Sequence, residues 1–200
     1  MKALKALLIG SSVFAAGAAH AEGQKGVLDI YYIPDSEFEV PGGSDDGDGF
    51  GLRGWGMVSE KVFLHGEFQS TETDDAGLET DQLRLGGGVV LPLSDQVWFI
   101  GSLEYIDLEL SIPGFGSGDT DGYGAHAGLA LQATPQLGFY GSLGLVELDD
   151  SDGIEFTLEA RYNFTESVSG FIDYRSTDQE GEGGDEITIT DLRLGIGFHF

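Results

Sequence analysis

The chain ends on Asp191-Leu-Arg-Leu-Gly-Ile-Gly-Phe-His-Phe200, and few folds accommodate such an ending. Leu192, Leu194, Ile196, Phe198 and Phe200 fall on one face at a period of two. Arg193, Gly195, Gly197 and His199 fall on the other, which is the alternation of a strand wetted on one side only. The apolar face runs to the last residue with no polar tail behind it. A water-soluble domain seldom finishes on an exposed aromatic carboxy terminus, so the solvent for that face has to be sought elsewhere.

The opposite end of the chain narrows the search. Met1 to Lys5 is a short basic start, Ala6 to Ala16 a small apolar run, and Ala19-His20-Ala21 fits a small-residue cleavage site before Glu22. The expectation is a signal peptide over 1–21 and an exported domain over 22–200. The apolar run is too short for a spanning helix, and no later stretch approaches the roughly 18 to 20 apolar residues that one needs. A chain that enters a bilayer after export without such a helix must do so as a closed barrel, because hydrocarbon tolerates only helices and edge-free sheets. There is no Cys, so hydrogen bonding and packing, not disulfides, must supply stability. The formal charge is −26, and loss of Lys2 and Lys5 would make it −28, which argues against nucleic acid as a partner. With 33 Gly and regular apolar alternation, the acidity suits a sheet better than a disordered tail.

Ten alternating segments follow the leader, at about 26–33, 48–58, 61–70, 81–91, 96–107, 121–132, 136–147, 153–164, 167–176 and 187–200. Their connections alternate. Segments 34–47, 71–80, 108–120, 148–152 and 177–186 are mostly long and rich in Gly and Asp, whereas Ser59-Glu60, Pro92 to Asp95, Ala133 to Pro135 and Thr165-Glu166 are tight. Long-short alternation is the signature of a barrel with one rim outside and the other facing the periplasm. The reading is an all-β fold, a ten-stranded antiparallel up-and-down transmembrane β-barrel, with eight strands as the alternative.

Parity then assigns faces. Ile154, Phe156, Leu158, Ala160, Tyr162 and Phe164 point to lipid, and Glu155, Thr157, Glu159, Arg161 and Asn163 point inward. Leu83, Leu85, Val89 and Leu91 likewise oppose Gln82, Arg84 and Val90. Tyr32, Phe50, Tyr105, Tyr123 and Tyr174 gather near one end of the apolar bands and Phe99, Phe139, Tyr162, Phe164 and Phe200 near the other, as two aromatic girdles. A weak hairpin repeat accompanies this: Asp48-Gly-Phe-Gly51 returns as Asp121-Gly-Tyr-Gly124, and Phe99-Ile-Gly-Ser-Leu103 as Phe139-Tyr-Gly-Ser-Leu143.

Leader, alternation and terminal aromatic strand together resemble the small bacterial outer-membrane β-barrel superfamily, the OmpA-like and porin-like barrels. The resemblance implies residence in the outer membrane and contact with its lipid and lipopolysaccharide. It also implies delivery by a barrel assembly machinery that reads Phe198 and Phe200 as its signal. The Asp-Gly-aromatic-Gly strand openings and Asp81-Gln-Leu-Arg-Leu-Gly-Gly-Gly88 are similar to small barrels once described as secreted immune elicitors in plant-associated bacteria, a likeness that carries no functional residue.

All five Arg of the chain, Arg53, Arg84, Arg161, Arg175 and Arg193, share the inward parity with Asp29, Glu67, Glu104, Glu159 and Asp173. An interior network of guanidinium and carboxylate groups is the simplest arrangement. It would fill a narrow barrel, since about eight strands enclose only side chains and open channels belong to about sixteen. Inward Trp55, Tyr140 and Phe171 favour a filled lumen over the alternative of a selective pore.

Histidine offers little chemistry. His20 leaves with the leader, His65 and His199 are expected near the periplasmic rim, and His126 near the outer rim. Outer-membrane proteases of the same strand number rely on paired Asp and a His–Asp couple on a long extracellular extension, for which these connections read as too short. Lipid A deacylase barrels use His-x-Ser facing lipid, where this chain has an inward His126-Ala127-Gly128. No catalytic residue is therefore assigned.

The five outer connections, taken with their flanking acids, hold 24 Asp and Glu and no Lys or Arg, an anionic crown. Asp45, Asp46 and Asp48, and Asp149, Asp150 and Asp152, resemble fragments of calcium loops without the twelve-residue spacing, so they are candidates only for weak Ca²⁺ or Mg²⁺ binding. The expected role is that of a non-enzymatic envelope protein with a filled lumen. The competing roles are a narrow passive channel and a surface-binding protein acting through the acidic crown.

Overall fold

A computed structural model describes residues 25–114, 116–181 and 185–200; the leader expected over 1–21 lies outside the described residues. The described residues form ten strands: β1 Gly26–Val40, β2 Gly43–Met57, β3 Val62–Thr73, β4 Glu79–Pro92, β5 Val97–Ile112, β6 Gly116–Gln132, β7 Leu137–Leu148, β8 Ser151–Asn163, β9 Val168–Gly181 and β10 Glu186–His199. Each pairs antiparallel with its neighbours in sequence, and β1 pairs with β10 to close the barrel. Closure is complete to the final residue. Lys25 and Gly26 donate their amides to the Phe200 carbonyl at 2.5 and 3.1 Å, and the Phe200 amide donates to Gly26 at 3.1 Å.

The surface is inverted relative to a soluble protein. Ile30, Leu64, Leu103, Leu143, Leu145, Leu158 and Ile196 are exposed, while Arg161, Arg193, Asp29 and Asp173 are among the most deeply buried side chains. Exposed Leu and Ile singly need no explanation, but a continuous belt of them around a closed sheet fits a bilayer. Its edges carry the aromatic residues read from parity. Tyr105 on β5 and Tyr123 on β6 meet edge to face with ring centres 5.9 Å apart at one edge, and Tyr162 on β8 and Phe164 just beyond its end meet at 5.6 Å at the other.

Two features differ from the sequence expectation. Much of the segments read as long outer loops is strand: β1 and β2 run on to Val40 and Gly43, and β7 and β8 to Leu148 and Ser151, leaving connections of only two residues, 41–42 and 149–150. Beyond the bilayer neither face of a strand contacts lipid, so the period-two signal vanishes there, and Gly and Asp lower strand propensity. The neighbouring strands nevertheless supply a template, and the ladder continues through pairs such as Glu37↔Asp46 and Leu110↔Gly118. Gly42, at φ 120°, supplies the left-handed residue for the first of these turns.

Secondly, β1 passes through Pro34, beyond the segment expected at about 26–33. A proline removes one ladder donor, and here a register shift between Tyr32 and Asp35 absorbs it as a bulge. Inward side chains then step from Ile33 to Ser36 instead of to Asp35.

The opposite end has four near-identical turns, 58–61, 93–96, 133–136 and 164–167. In each, the first residue donates its amide to the carbonyl four residues on, as Leu93 does to Val97 at 2.9 Å. Ser or Thr stands second in all four. Thr134 and Thr165 accept the amides of Leu137 and Val168 through their hydroxyls at 3.0 Å, which locks the turn.

Candidate functional site in the barrel lumen

Inward parity on ten strands converges on a lumen with three layers. At the short-turn end Val27, Trp55, Phe63, Val90, Trp98, Ile100 and Ala130 form an apolar plug, with Met57 and Tyr140 packed against it. Trp55 meets Phe63 edge to face, ring centres 6.5 Å apart. Above the plug lies a charged middle layer, with Tyr31, Ile33 and Phe171 set into it. Ile106, Leu108 and Val146 are buried farther toward the outer end.

The charged layer divides into two groups. In the larger, Arg161 donates Nη1 and Nη2 to the two oxygens of Asp29 at 2.8 and 2.7 Å and Nε to Glu159 at 2.8 Å. Arg53 joins the same two carboxylates at 3.0 and 2.7 Å. Asp173 is held by Arg53 and Arg193, and Glu67 by Arg175 at 2.7 Å and Arg193 at 3.1 Å. Phe171 lies beneath two of these cations, its ring centre 4.6 Å from the Arg161 guanidinium and 5.1 Å from that of Arg53. Fork-to-carboxylate geometry of this kind is the strong form of ion pairing and the form that can be buried.

The smaller group surrounds Arg84. Its Nη2 donates to Glu155 Oε2 at 2.6 Å, its Nη1 to Glu104 Oε1 at 2.8 Å, and its Nε to Gln82 at 2.9 Å. His126 Nε2 lies 3.1 Å from Glu155 Oε1, and His65 Nε2 3.7 Å from Glu104 Oε2.

Every arginine and every acid assigned to the interior by parity lines this layer. Two further participants, Glu155 and Asp191, had the same signal: Glu155 shares the parity of Glu159, and Asp191 stands two residues before Arg193. Asp191 accepts from Ser36 and Gln69 at 2.8 Å each and lies 3.4 Å from Arg175. His126 sits in mid-lumen, not near the outer rim, because the β5–β6 hairpin continues past it to Ile112 and Gly116. His199 is buried at the short-turn end against Ser169, at 2.8 Å.

The aspartates of the calcium-loop fragments have other partners. Asp45 accepts the amides of Asp75 and Ala76 at 3.1 and 2.8 Å and so caps the β3–β4 turn, while Asp48 accepts the Tyr32 hydroxyl at 2.8 Å. Asp149 and Asp150 form the β7–β8 turn, and Asp152 is exposed on β8. Neither trio converges on a common point among the described residues. Phe198 on β10 and Phe200 just beyond its end are both exposed on the outer face.

Two small cavities lie in the lumen among the described residues. A cavity of about 100 Å³ lies between the plug and the ion pairs, bordered by His65, Glu104, His126, Tyr140 and Ser142. A second, of about 50 Å³, lies on the outer side, and Arg84 and Arg175 border both.

No protein-family model and no curated protein matches the chain. Among solved structures it is similar to Neisserial surface protein A, at 10% identity over 90% of this chain and 100% of that one, with a TM-score of 0.54. An outer membrane channel from Pseudomonas putida F1 aligns at 13% identity over 90% of this chain and 97% of its own, TM-score 0.48. Ail, the attachment invasion locus protein of Yersinia pestis, aligns at 16% identity over 88% and 99%, TM-score 0.45. The fold is that of the small outer-membrane β-barrels. No residue role crosses at these identities.

Proposed function

We propose that the protein is a non-enzymatic, non-conducting component of the bacterial outer membrane that presents an acidic, strand-built rim to the outside. The observation that carries this reading is the plugged lumen: an apolar layer around Trp55 and Phe63, an ion-paired layer above it, and cavities of only about 100 and 50 Å³. A hydrated ion would have to break a plug and a buried salt-bridge network in succession. The rim stands at the height of lipopolysaccharide phosphates, which its carboxylates repel unless Ca²⁺ or Mg²⁺ lies between them, so the rim would associate with lipopolysaccharide through divalent ions.

Planar-bilayer recording tests the central claim. The intact barrel should show no unitary conductance, and a Trp55→Ala, Phe63→Ala double variant that keeps heat-modifiable mobility should admit small currents. Stable single-channel steps from the unmodified protein would replace this reading with a narrow channel.

A further inference from the structure

The charges of the lumen do not balance evenly. Arg53, Arg161, Arg175 and Arg193 are shared among Asp29, Glu67, Glu159, Asp173 and Asp191, one carboxylate in excess of four guanidiniums, and Arg84 alone faces both Glu104 and Glu155, a second excess set against a single guanidinium. Two imidazoles stand beside that surplus carboxylate. The Glu104, Glu155 and His126 side chains are each more than nine-tenths buried, and His65 Nε2 is buried with no hydrogen-bond partner among the described residues. At 3.7 Å from Glu104 Oε2 it is too far for a hydrogen bond.

The spacing suits a shared ion. Ligands held at about 2.0–2.2 Å from one zinc lie roughly 3.3–3.6 Å from each other. Here His126 Nε2 is 3.1 Å from Glu155 Oε1 and its other ring nitrogen, Nδ1, is 3.8 Å from Glu104 Oε1; one of the two nitrogens serves as the ligand. One ligand atom from each of Glu104, His126 and Glu155 falls within 4.8 Å of the other two. Arg84 makes its shortest bonds to Glu155 Oε2 and Glu104 Oε1 and a third, at 3.0 Å, from Nη1 to Glu155 Oε1, which also faces His126, while Glu104 Oε2 is turned to His65.

Glycines make the room. A Cβ at Gly124 would lie 2.8 Å from His126 Cε1 and 3.1 Å from Glu104 Oε1, one at Gly86 would lie 2.7 Å from His65 Nε2, and one at Gly144 would overlap the His126 ring. The cavity of about 100 Å³ opens onto the same side chains.

We propose that Glu104, His126 and Glu155, with His65 completing the set, bind a single divalent transition-metal ion of the zinc class inside the barrel. Imidazole nitrogen combined with carboxylate oxygen selects such ions over Ca²⁺ and Mg²⁺, which take oxygen alone. The ion neutralises the surplus carboxylate and ties β3, β5, β6 and β8 together. It is a different site from the acidic rim and does not depend on whether the lumen conducts.

The test uses the folded, chelator-stripped barrel in detergent, titrated with Zn²⁺ by calorimetry and with Co²⁺ by visible absorption. One ion per barrel is expected, with the intense ligand-field bands of a four- or five-coordinate Co²⁺ ion. His126→Gln and the isosteric Glu104→Gln should each weaken binding at least tenfold, His65→Gln should weaken it less, and an Asp149→Asn, Asp150→Asn, Asp152→Asn triple variant should leave it unchanged. Heat-modifiable mobility on electrophoresis checks that each variant is folded. Absence of Co²⁺ bands from the unmodified barrel overturns the site without any variant. Full affinity in His126→Gln, or affinity lost in the rim variant, also overturns it.

Discussion

Acidic residues occupy two regions of this barrel and do different things in them. In the lumen seven carboxylates lie within salt-bridging distance of five guanidiniums, and side chains such as Arg161 and Asp173 are fully buried. At the rim, a larger number of acids stands in water on connections and strand ends that carry no Lys or Arg. The difference lies in where the scarce cations are spent: every arginine is inside. Burying a carboxylate costs several kcal/mol unless a partner compensates, whereas an exposed one needs none. The interior therefore depends on exact partners and the rim on none in particular.

Removing an interior cation is the most severe way to break this contrast. Arg161→Ala leaves Asp29 and Glu159 in a dry site with Arg53 as their remaining guanidinium, and should destabilise the barrel by about 3–5 kcal/mol in urea titration. Asp150→Ala at the β7–β8 turn should leave the midpoint where it is. Equal effects from the two would show that the lumen is hydrated enough to screen its charges.

Truncating the plug comes next. Trp55→Ala opens a void between Phe63 and its neighbours and should cost about 3 kcal/mol, by the usual penalty for large-to-small changes in packed interiors. A loss below about 1 kcal/mol would mean that the plug collapses onto the void.

A third change moves charge onto the lipid side. Phe200→Asp places a carboxylate where the β1–β10 seam meets the bilayer edge, and should lower the folded fraction on insertion into vesicles severalfold while leaving the lumen pairs intact. Unchanged insertion would remove the terminal aromatic from the account of assembly.

The smallest effect belongs to the rim. The Asp45 carboxyl is held below its ordinary value, chiefly by the backbone amide of Ala76 and also by Thr73 and Asp75. A depressed carboxyl stabilises the hairpin fully above the unfolded-state value, about 4, and loses that contribution as pH falls through the folded one. The Ala76 amide resonance should therefore titrate below the ordinary aspartate range, with no matching change in the lumen. A midpoint at or above that range would detach Asp45 from the turn.

How far each region could be read in advance follows the same division. Parity found the ten strands, the lipid faces and the ten charged residues first assigned to the lumen, because a lipid face on one side forces strict alternation. It carried Glu155 and Asp191 equally well, as the partners of residues already placed. Where lipid ends the information ends with it. The outer strand extensions, with polar residues on both faces, looked like loops, and His126 was placed too high as a result. The first strand outran its expected end at 33 for a local reason, since a bulge removes the demand for the donor that Pro34 lacks. The grouping of Glu104, His126, Glu155 and His65 was out of reach, because it comes from three different hairpins and from glycines whose purpose appears only in three dimensions.

The span of the interior ion pairs bears on how the barrel forms. Asp29 on β1 meets Arg161 on β8, 132 residues later, and Glu67 on β3 meets Arg193 on β10, 126 residues later. Contacts so distant in the chain form late, since loop closure must precede them. Until the last strand arrives, a partly zipped sheet carries unmatched charges on its concave face and keeps them hydrated. Closure should then proceed as one cooperative step, in which pairing, dehydration and seam formation between β1 and β10 occur together. An incomplete sheet should resist burial in hydrocarbon with that face exposed, so the residues that fill the finished barrel are expected to delay insertion until β10 has paired with β1.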